Sequence, residues 1–220
     1  MNTGLLAVPV FEPAPAVPQL GHAEIHLWFF PHWNEPPPAA ESSGVRDRLA
    51  RYLGIAGTDL RIQRDARGKP RLVDAPLDFN VSHTGSALLL GVRNGGSVGV
   101  DLEAAQRRTR PVLPLARRWF APDEARVLES FPADRRQTEF LTLWTAKEAL
   151  VKARGLGIGE GLRGAIFQAS ATGWDCVDPD WQVLSLAPAP GFVAAVAWQG
   201  PVSRVGAFVA PTIAPQAYSG

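Results

Sequence analysis

Val98-Gly99-Val100-Asp101-Leu102-Glu103 is the stretch on which the reading of the fold turns. Its alternation is that of a β-strand, and the period of two puts Asp101 and Glu103 on one face with Leu102 on the other. Before it the chain shows strand patterns and one short helical pattern; after it helical spacing takes over until strands return near the carboxy terminus. The internal boundary therefore falls close to this strand. The order strand, helix, strands, then helices, strands loosely repeats one layout, although no residue-level repeat is visible. The expected fold class is α+β, built as two related halves.

Outward from that strand, Glu24–Phe30 alternates Ile25, Leu27 and Phe29 against Glu24, His26 and Trp28, the pattern of a half-buried strand, and Pro31 ends it. Val45, Leu49, Tyr52 and Leu53 fall at helical spacing, with Gly54 as the stop. Strands are expected at 86–92 and 97–103, and Asn94-Gly95-Gly96 between them predicts an antiparallel hairpin. A basic, proline-marked stretch at 107–114 follows. Pro122, with Asp123 and Glu124 in the first turn, starts one helix, and Phe131-Pro132 separates it from a longer one at 134–153, which Gly155 and Gly157 end. Strands are expected again at 162–168, 181–186, 192–198 and 202–209. The first 20 residues and residues 211–220 have the proline and small-residue content of poorly ordered termini.

The chain has 220 residues, 46% of them hydrophobic, enough to bury a substantial core. With 22 basic against 21 acidic residues the net charge is +1, so no overall field recruits nucleic acid or an anionic membrane. The only cysteine, Cys176, excludes an intrachain disulfide and suits a reducing cytoplasm. Residues 1–20 lack the basic start of a signal peptide and are broken by prolines, and no run reaches the ~20 apolar residues that span a bilayer. A soluble cytoplasmic protein is expected.

A second motif, Trp144-Thr145-Ala146-Lys147-Glu148-Ala149-Leu150-Val151-Lys152, reads as helix. Four-residue spacing stacks Trp144, Glu148 and Lys152 on one face. Where Glu148 meets Asp101 and Glu103, three carboxylates converge, and each like-charge pair at ~4 Å costs on the order of 4 kcal/mol at an effective dielectric of about 20. Such a cluster calls for a cation or shared protons, and oxygen-only ligands favour magnesium or manganese over zinc. Taken singly, each acid has a plainer reading. Carboxylates at a strand end pair with nearby arginines such as Arg107 or Arg108, and Glu148 between Lys147 and Lys152 makes an ordinary surface ion pair. A third segment, Arg67-Gly68-Lys69-Pro70-Arg71 followed by Phe79-Asn80-Val81-Ser82-His83-Thr84-Gly85, brings together cations, hydroxyls and glycine turns, the groups that bind phosphate oxygens. By itself His83 fits equally a core histidine bonded to a carbonyl.

Taken in order, Gly68-Lys69-Pro70, Phe79-Asn80-Val81-Ser82-His83, Gly99-Val100-Asp101-Leu102-Glu103, Phe120 with Glu124, and Trp144-Thr145-Ala146-Lys147-Glu148 with Lys152 resemble the 4′-phosphopantetheinyl transferases of the monomeric, two-lobed type. The resemblance spans roughly Gly68 to Gly157. It implies two similar sheet-plus-helix lobes related by pseudo-twofold symmetry, with the active site at their junction. The corresponding boundaries are 21–98 and 99–210, flanked by a poorly ordered segment at 1–20 and a tail at 211–220. It implies transfer of the phosphopantetheine arm of coenzyme A to a serine of an apo acyl or peptidyl carrier protein, releasing adenosine 3′,5′-bisphosphate. Asp101, Glu103 and Glu148 would hold Mg²⁺, and Lys152 would neutralise charge on the transferred phosphate or the departing bisphosphate. Glu148 or a water on the metal would take the serine proton, and Glu124 would support the metal site or the base. Lys69, Ser82 and His83 would contact the adenosine-end phosphates, and Arg117, Arg118, Trp119 and Phe120 would face the carrier protein.

The chain departs from the family pattern in two places. The family brings several cations to the 3′-phosphate from its amino-terminal lobe, whereas residues 33–44 contain none, leaving Arg46, Arg48 or Arg51 to substitute. Alanine stands at 121 in place of a hydroxyl helix cap, a change of ~1 kcal/mol. A non-catalytic module that binds coenzyme A or carrier proteins is the alternative that the missing cations favour. A metal-dependent phosphohydrolase is the reading that the acids alone would support.

Overall fold

The computed structural model describes residues 6–15, 18–35, 39–106 and 111–210. Arg107, Arg108 and the expected tail at 211–220 lie outside them. In chain order the elements are β1 (Phe11–Pro13), β2 (Glu24–Phe30), α1 (Ser43–Leu53), β3 (Ile62–Arg64), β4 (Pro70–Leu72), β5 (Leu77–Thr84), β6 (Ala87–Asn94), β7 (Val98–Ala104), α2 (Val112–Trp119), α3 (Pro122–Ser130), α4 (Ala133–Ala153), α5 (Ile158–Gly164), β8 (Phe167–Ser170), β9 (Gly173–Cys176), β10 (Trp181–Leu186), β11 (Phe192–Gln199) and β12 (Arg204–Val209). The class is α+β, as expected. A five-stranded sheet in the order β1-β12-β2-β6-β5 faces a three-stranded sheet in the order β10-β11-β7.

The core lies in three layers because the central strands are apolar on both faces. Ile25, Leu27 and Phe29 of β2 and Leu89 of β6 meet Val98, Val100, Leu102, Val196 and Trp198 of the second sheet. The opposite faces, carrying Trp28, Phe30, Leu88 and Leu90, pack on Val45 and Leu49 of α1. β2 is therefore buried on both sides rather than half-buried, since α1 covers the face that alternation assigned to solvent. On the far side of the second sheet, α4 lies across β7, β11 and β10. From Phe140 onward it is buried on most of its circumference, Lys147 and Glu148 included.

Four expectations are corrected. The strands at 86–92 and 97–103 do not pair with each other: β6 is the partner of β5, with Thr84 opposite Ala87, and of β2, whereas β7 pairs with β11. Gly95, at φ 72°, turns the chain out of one sheet and into the other. Of the strand expected at 162–168, residues 162–164 instead close α5, and only Phe167 and Gln168 fall in a strand, β8. Phe11–Pro13, within the segment expected to lack structure, adds to β12 in parallel. β12, expected with the carboxy-terminal lobe, lies in the five-stranded sheet, in parallel with β2 from Arg204 opposite Glu24 to Val209 opposite Phe29.

Candidate active site

Gly99 decides how closely α4 approaches β7. A Cβ there would stand 2.1 Å from the carbonyl oxygen of Ala149 and 2.4 Å from the nitrogen of Ala153, so only glycine lets the helix backbone rest on the strand. That contact sets Glu148 and Lys152, one helical turn apart, beside Asp101 two residues further along the strand. Lys152 Nζ donates to Asp101 Oδ1 at 2.6 Å and to the Val100 carbonyl at 3.2 Å. Ser82 of β5 donates its hydroxyl to the same Asp101 oxygen at 2.8 Å and accepts from Lys152 at 3.2 Å. One carboxylate, one ammonium and one hydroxyl thus meet where the two sheets adjoin.

All three acids are buried: Asp101 is 5% exposed, Glu103 8% and Glu148 5%. Burial raises Glu148 to about pKa 7, the negative charges of Asp101 and Glu103 push the same way, and Lys152 opposes them. Such a group holds a proton near neutrality and can exchange it, a property concentrated at functional sites. Asp101 Oδ2 is buried without a hydrogen-bond partner. As the side chains stand, no group of three His, Cys, Asp or Glu residues among the described residues is arranged to hold a metal ion. The donor chemistry nonetheless fits a hard divalent cation. A buried Asp101 oxygen has no hydrogen-bond partner, and the nearby Glu148 keeps its proton first because it is buried and then because Asp101 and Glu103 lie close.

His83, next along β5, points the other way by strand alternation, is exposed, and rests against Trp33 with ring centroids 5.6 Å apart. It lines an open cleft of about 550 Å³ with Thr84, Gly85, Ala104 and Gln106, at the ends of β5 and β7 just beyond Ser82 and Glu103. Three expected roles do not fit the geometry. Lys69 is turned inward: Gly68, at φ 83°, closes the β3–β4 turn, and Lys69 Nζ pairs with Asp78 at 2.8 Å while donating to the Val98 carbonyl at 3.2 Å. Glu124 is 2% exposed, pairs with Lys147 at 2.7 Å, and accepts from Ala121 N at 2.7 Å and Phe167 N at 2.8 Å, so it builds the core rather than touching substrate. Phe120 is buried, stacked on Phe140 at 5.3 Å, and so cannot face a carrier protein.

Arg117 and Arg118 are exposed, the first paired with Glu129 at 2.8 Å and the second lying over Trp119 at 4.9 Å. Arg46 donates to the carbonyls of Gly57 and Leu60, and Arg48 lies 4.0 Å over the Trp28 ring, so both serve the fold. Arg51 is exposed in the last turn of α1, beside Arg48. Sequence reasoning missed Lys147 as a core residue. The signal was its place three residues before Leu150 and four after Leu143, on the apolar side of α4.

Residues 97–191, which take in β7 and all of α4, match the family model for the 4′-phosphopantetheinyl transferase superfamily. The 4′-phosphopantetheinyl transferase HetI of Nostoc is 35% identical over 162 residues, covering 71% of this chain and 68% of HetI. A Synechocystis protein, slr0495, named for the same transferase activity, is 42% identical over 125 residues, covering 56% of this chain and 50% of that protein. Sfp of Bacillus subtilis is 30% identical over 116 residues, covering 52% of this chain and 50% of Sfp. The chain thus spans about half the length of the last two relatives. Because the match to HetI runs across two thirds of that protein, and the family model covers the strand and the helix that meet at Gly99, this chain belongs to the 4′-phosphopantetheinyl transferase superfamily.

Proposed function

We propose that this protein transfers the 4′-phosphopantetheine arm of coenzyme A to a serine of an apo acyl or peptidyl carrier protein, giving holo carrier protein and adenosine 3′,5′-bisphosphate. The observation that carries this reading is the buried meeting of Asp101, Lys152 and Ser82 beside Glu148, whose pKa is raised to about 7. In the reaction the serine oxygen bonds to the phosphorus bearing pantetheine, the bond to the bridging diphosphate oxygen breaks, and the serine proton goes to the Glu148 carboxylate. A base poised near neutral pH suits that step. Lys152 would set its ammonium against the charge that develops on the departing bisphosphate. Asp101, Glu103 and Glu148 would hold Mg²⁺, which when bound neutralises the diphosphate. Ser82 would hold Asp101 in place, and His83 would meet the nucleotide end in the cleft. The corresponding proposal for setting is the cytoplasm, which the lone Cys176 suits, and for assembly a monomer, as the resemblance to the two-lobed transferases implies. No helix among the described residues is long and apolar enough to cross a membrane.

The test is release of adenosine 3′,5′-bisphosphate from coenzyme A, followed chromatographically. Release that requires both apo carrier protein and Mg²⁺ is the expected result. Release without carrier protein would make the protein a hydrolase. Coenzyme A binding without any release would favour the non-catalytic module, the outcome to which the engagement of Arg46, Arg48 and Lys69 within the protein would then point.

A further inference from the structure

Side chains at alternate positions of a strand share one side, and on β5 those at 78, 80 and 82 are Asp78, Asn80 and Ser82. They meet the edge of β7 that has no strand partner among the described residues, its other edge being taken by β11. In place of a ladder, the Val98 N–H donates to Asp78 Oδ2 at 2.9 Å and the Val100 N–H to Asn80 Oδ1 at 2.8 Å. Both carbonyls of the same two residues accept from lysines, Val98 from Lys69 and Val100 from Lys152, each at 3.2 Å. Ser82 on Asp101 is the next rung. A backbone ladder would draw the strands to about 4.8 Å and leave no gap between them. Rungs made of side chains satisfy the buried edge, whose unpaired groups would otherwise be costly, while keeping the strands far enough apart to admit Ser82 and the Lys152 ammonium.

We propose that Asn80 is a positioning residue for the transfer reaction. By holding the Val100 N–H it fixes where β7 carries Asp101 and Glu103 past Ser82, and Asp78 with Lys69 fixes the rung before it. The proposal rests on the transfer reading above. It explains why Lys69 and Asn80, which lie in the motifs read as phosphate contacts, are buried and bonded to the strand instead, at 9% and 6% exposure.

The first measurement is amide hydrogen exchange on the unaltered chain, which needs no activity. The Val98 and Val100 amides are expected to exchange as slowly as those of β6, although no backbone carbonyl of another strand pairs with them; exchange at loop rates overturns the proposal. Asn80→Ala is then expected to speed exchange at Val100 and to lower kcat on the order of tenfold, with the KM for coenzyme A held within about twofold. Asn80→Asp, which keeps an acceptor in the same place, is expected to restore slow exchange and most of kcat. An unchanged kcat in a folded Asn80→Ala protein whose Val100 amide has opened overturns the positioning role. So does a raised KM at constant kcat, which would make Asn80 a ligand contact. If the unaltered chain transfers nothing, the proposed function fails and the positioning role falls with it, whereas slow exchange at Val98 and Val100 would still uphold the seam.

Discussion

Without metal, and between pH 4.5 and about 7, Glu148 carries a proton that the unfolded chain would already have released, because burial and two neighbouring acids raise it from 4.5 to about 7. Between those values the folded state binds more protons than the unfolded one, so stability falls as pH rises through the window, and the whole loss, roughly 3 kcal/mol, is present above pH 7. In metal-free protein, thermal melts of Glu148→Gln are expected to show a raised Tm at pH 8 and an unchanged Tm at pH 4.5; the same Tm difference at both would contradict the assignment. Gly99→Ala must push Cβ into the Ala149 carbonyl, which is helix backbone and cannot rotate away. It is expected to lower stability by about 1–3 kcal/mol in urea melts and to abolish transfer, since it lifts Lys152 off Asp101. That Asp101 and Glu103 share one face of β7, and Glu148 and Lys152 one face of α4, was legible because periods of two and of about four residues fix which side chains lie together. Lys69 and Glu124 were not, because a charged residue in a sequence does not declare which buried partner folding will bring to it.

α4 gathers both kinds of charge at the scale of an element. One side presents Glu148 and Lys152 to the site, and another sends Lys147 into the core, where it pairs with Glu124 at 2.7 Å with both side chains almost wholly buried. Glu124 in turn ties the start of α3 and β8 to the same point. Lys147→Met leaves that carboxylate buried and unpaired and is expected to cost about 3–5 kcal/mol. Adding Glu124→Gln is expected to recover much of the loss, and an equal or greater loss in the double variant would show that the pair is not the linkage. Helices marked by a proline start or a glycine stop were read to within a residue or two at α1, α3 and α4. The hairpin expected at Asn94-Gly95-Gly96 failed for a reason of burial. β6 is apolar on both faces and requires strands on both edges, and β5 and β2 supply them.

Across the whole molecule, the carboxy-terminal strand β12 sits between β1 and β2, and Arg93 of β6 donates to the carbonyls of Gln199 and Pro201. Together with the β5–β7 seam, these bonds make the two sheets one cooperative body. Unfolding followed by tryptophan fluorescence and by far-ultraviolet circular dichroism is expected to give one coincident transition; two separated transitions would contradict this. The pairing of β12 was illegible because both of its partners are remote in sequence, the nearer, β2, lying some 180 residues away. The central claim, that the site at the seam moves a phosphopantetheine arm, is met most directly by intact-protein mass spectrometry of an apo carrier protein incubated with this protein, coenzyme A and Mg²⁺. A gain of one phosphopantetheine mass that vanishes with EDTA and with Asp101→Ala is expected. A gain that survives both, or no gain on acyl and peptidyl carriers alike, would contradict it.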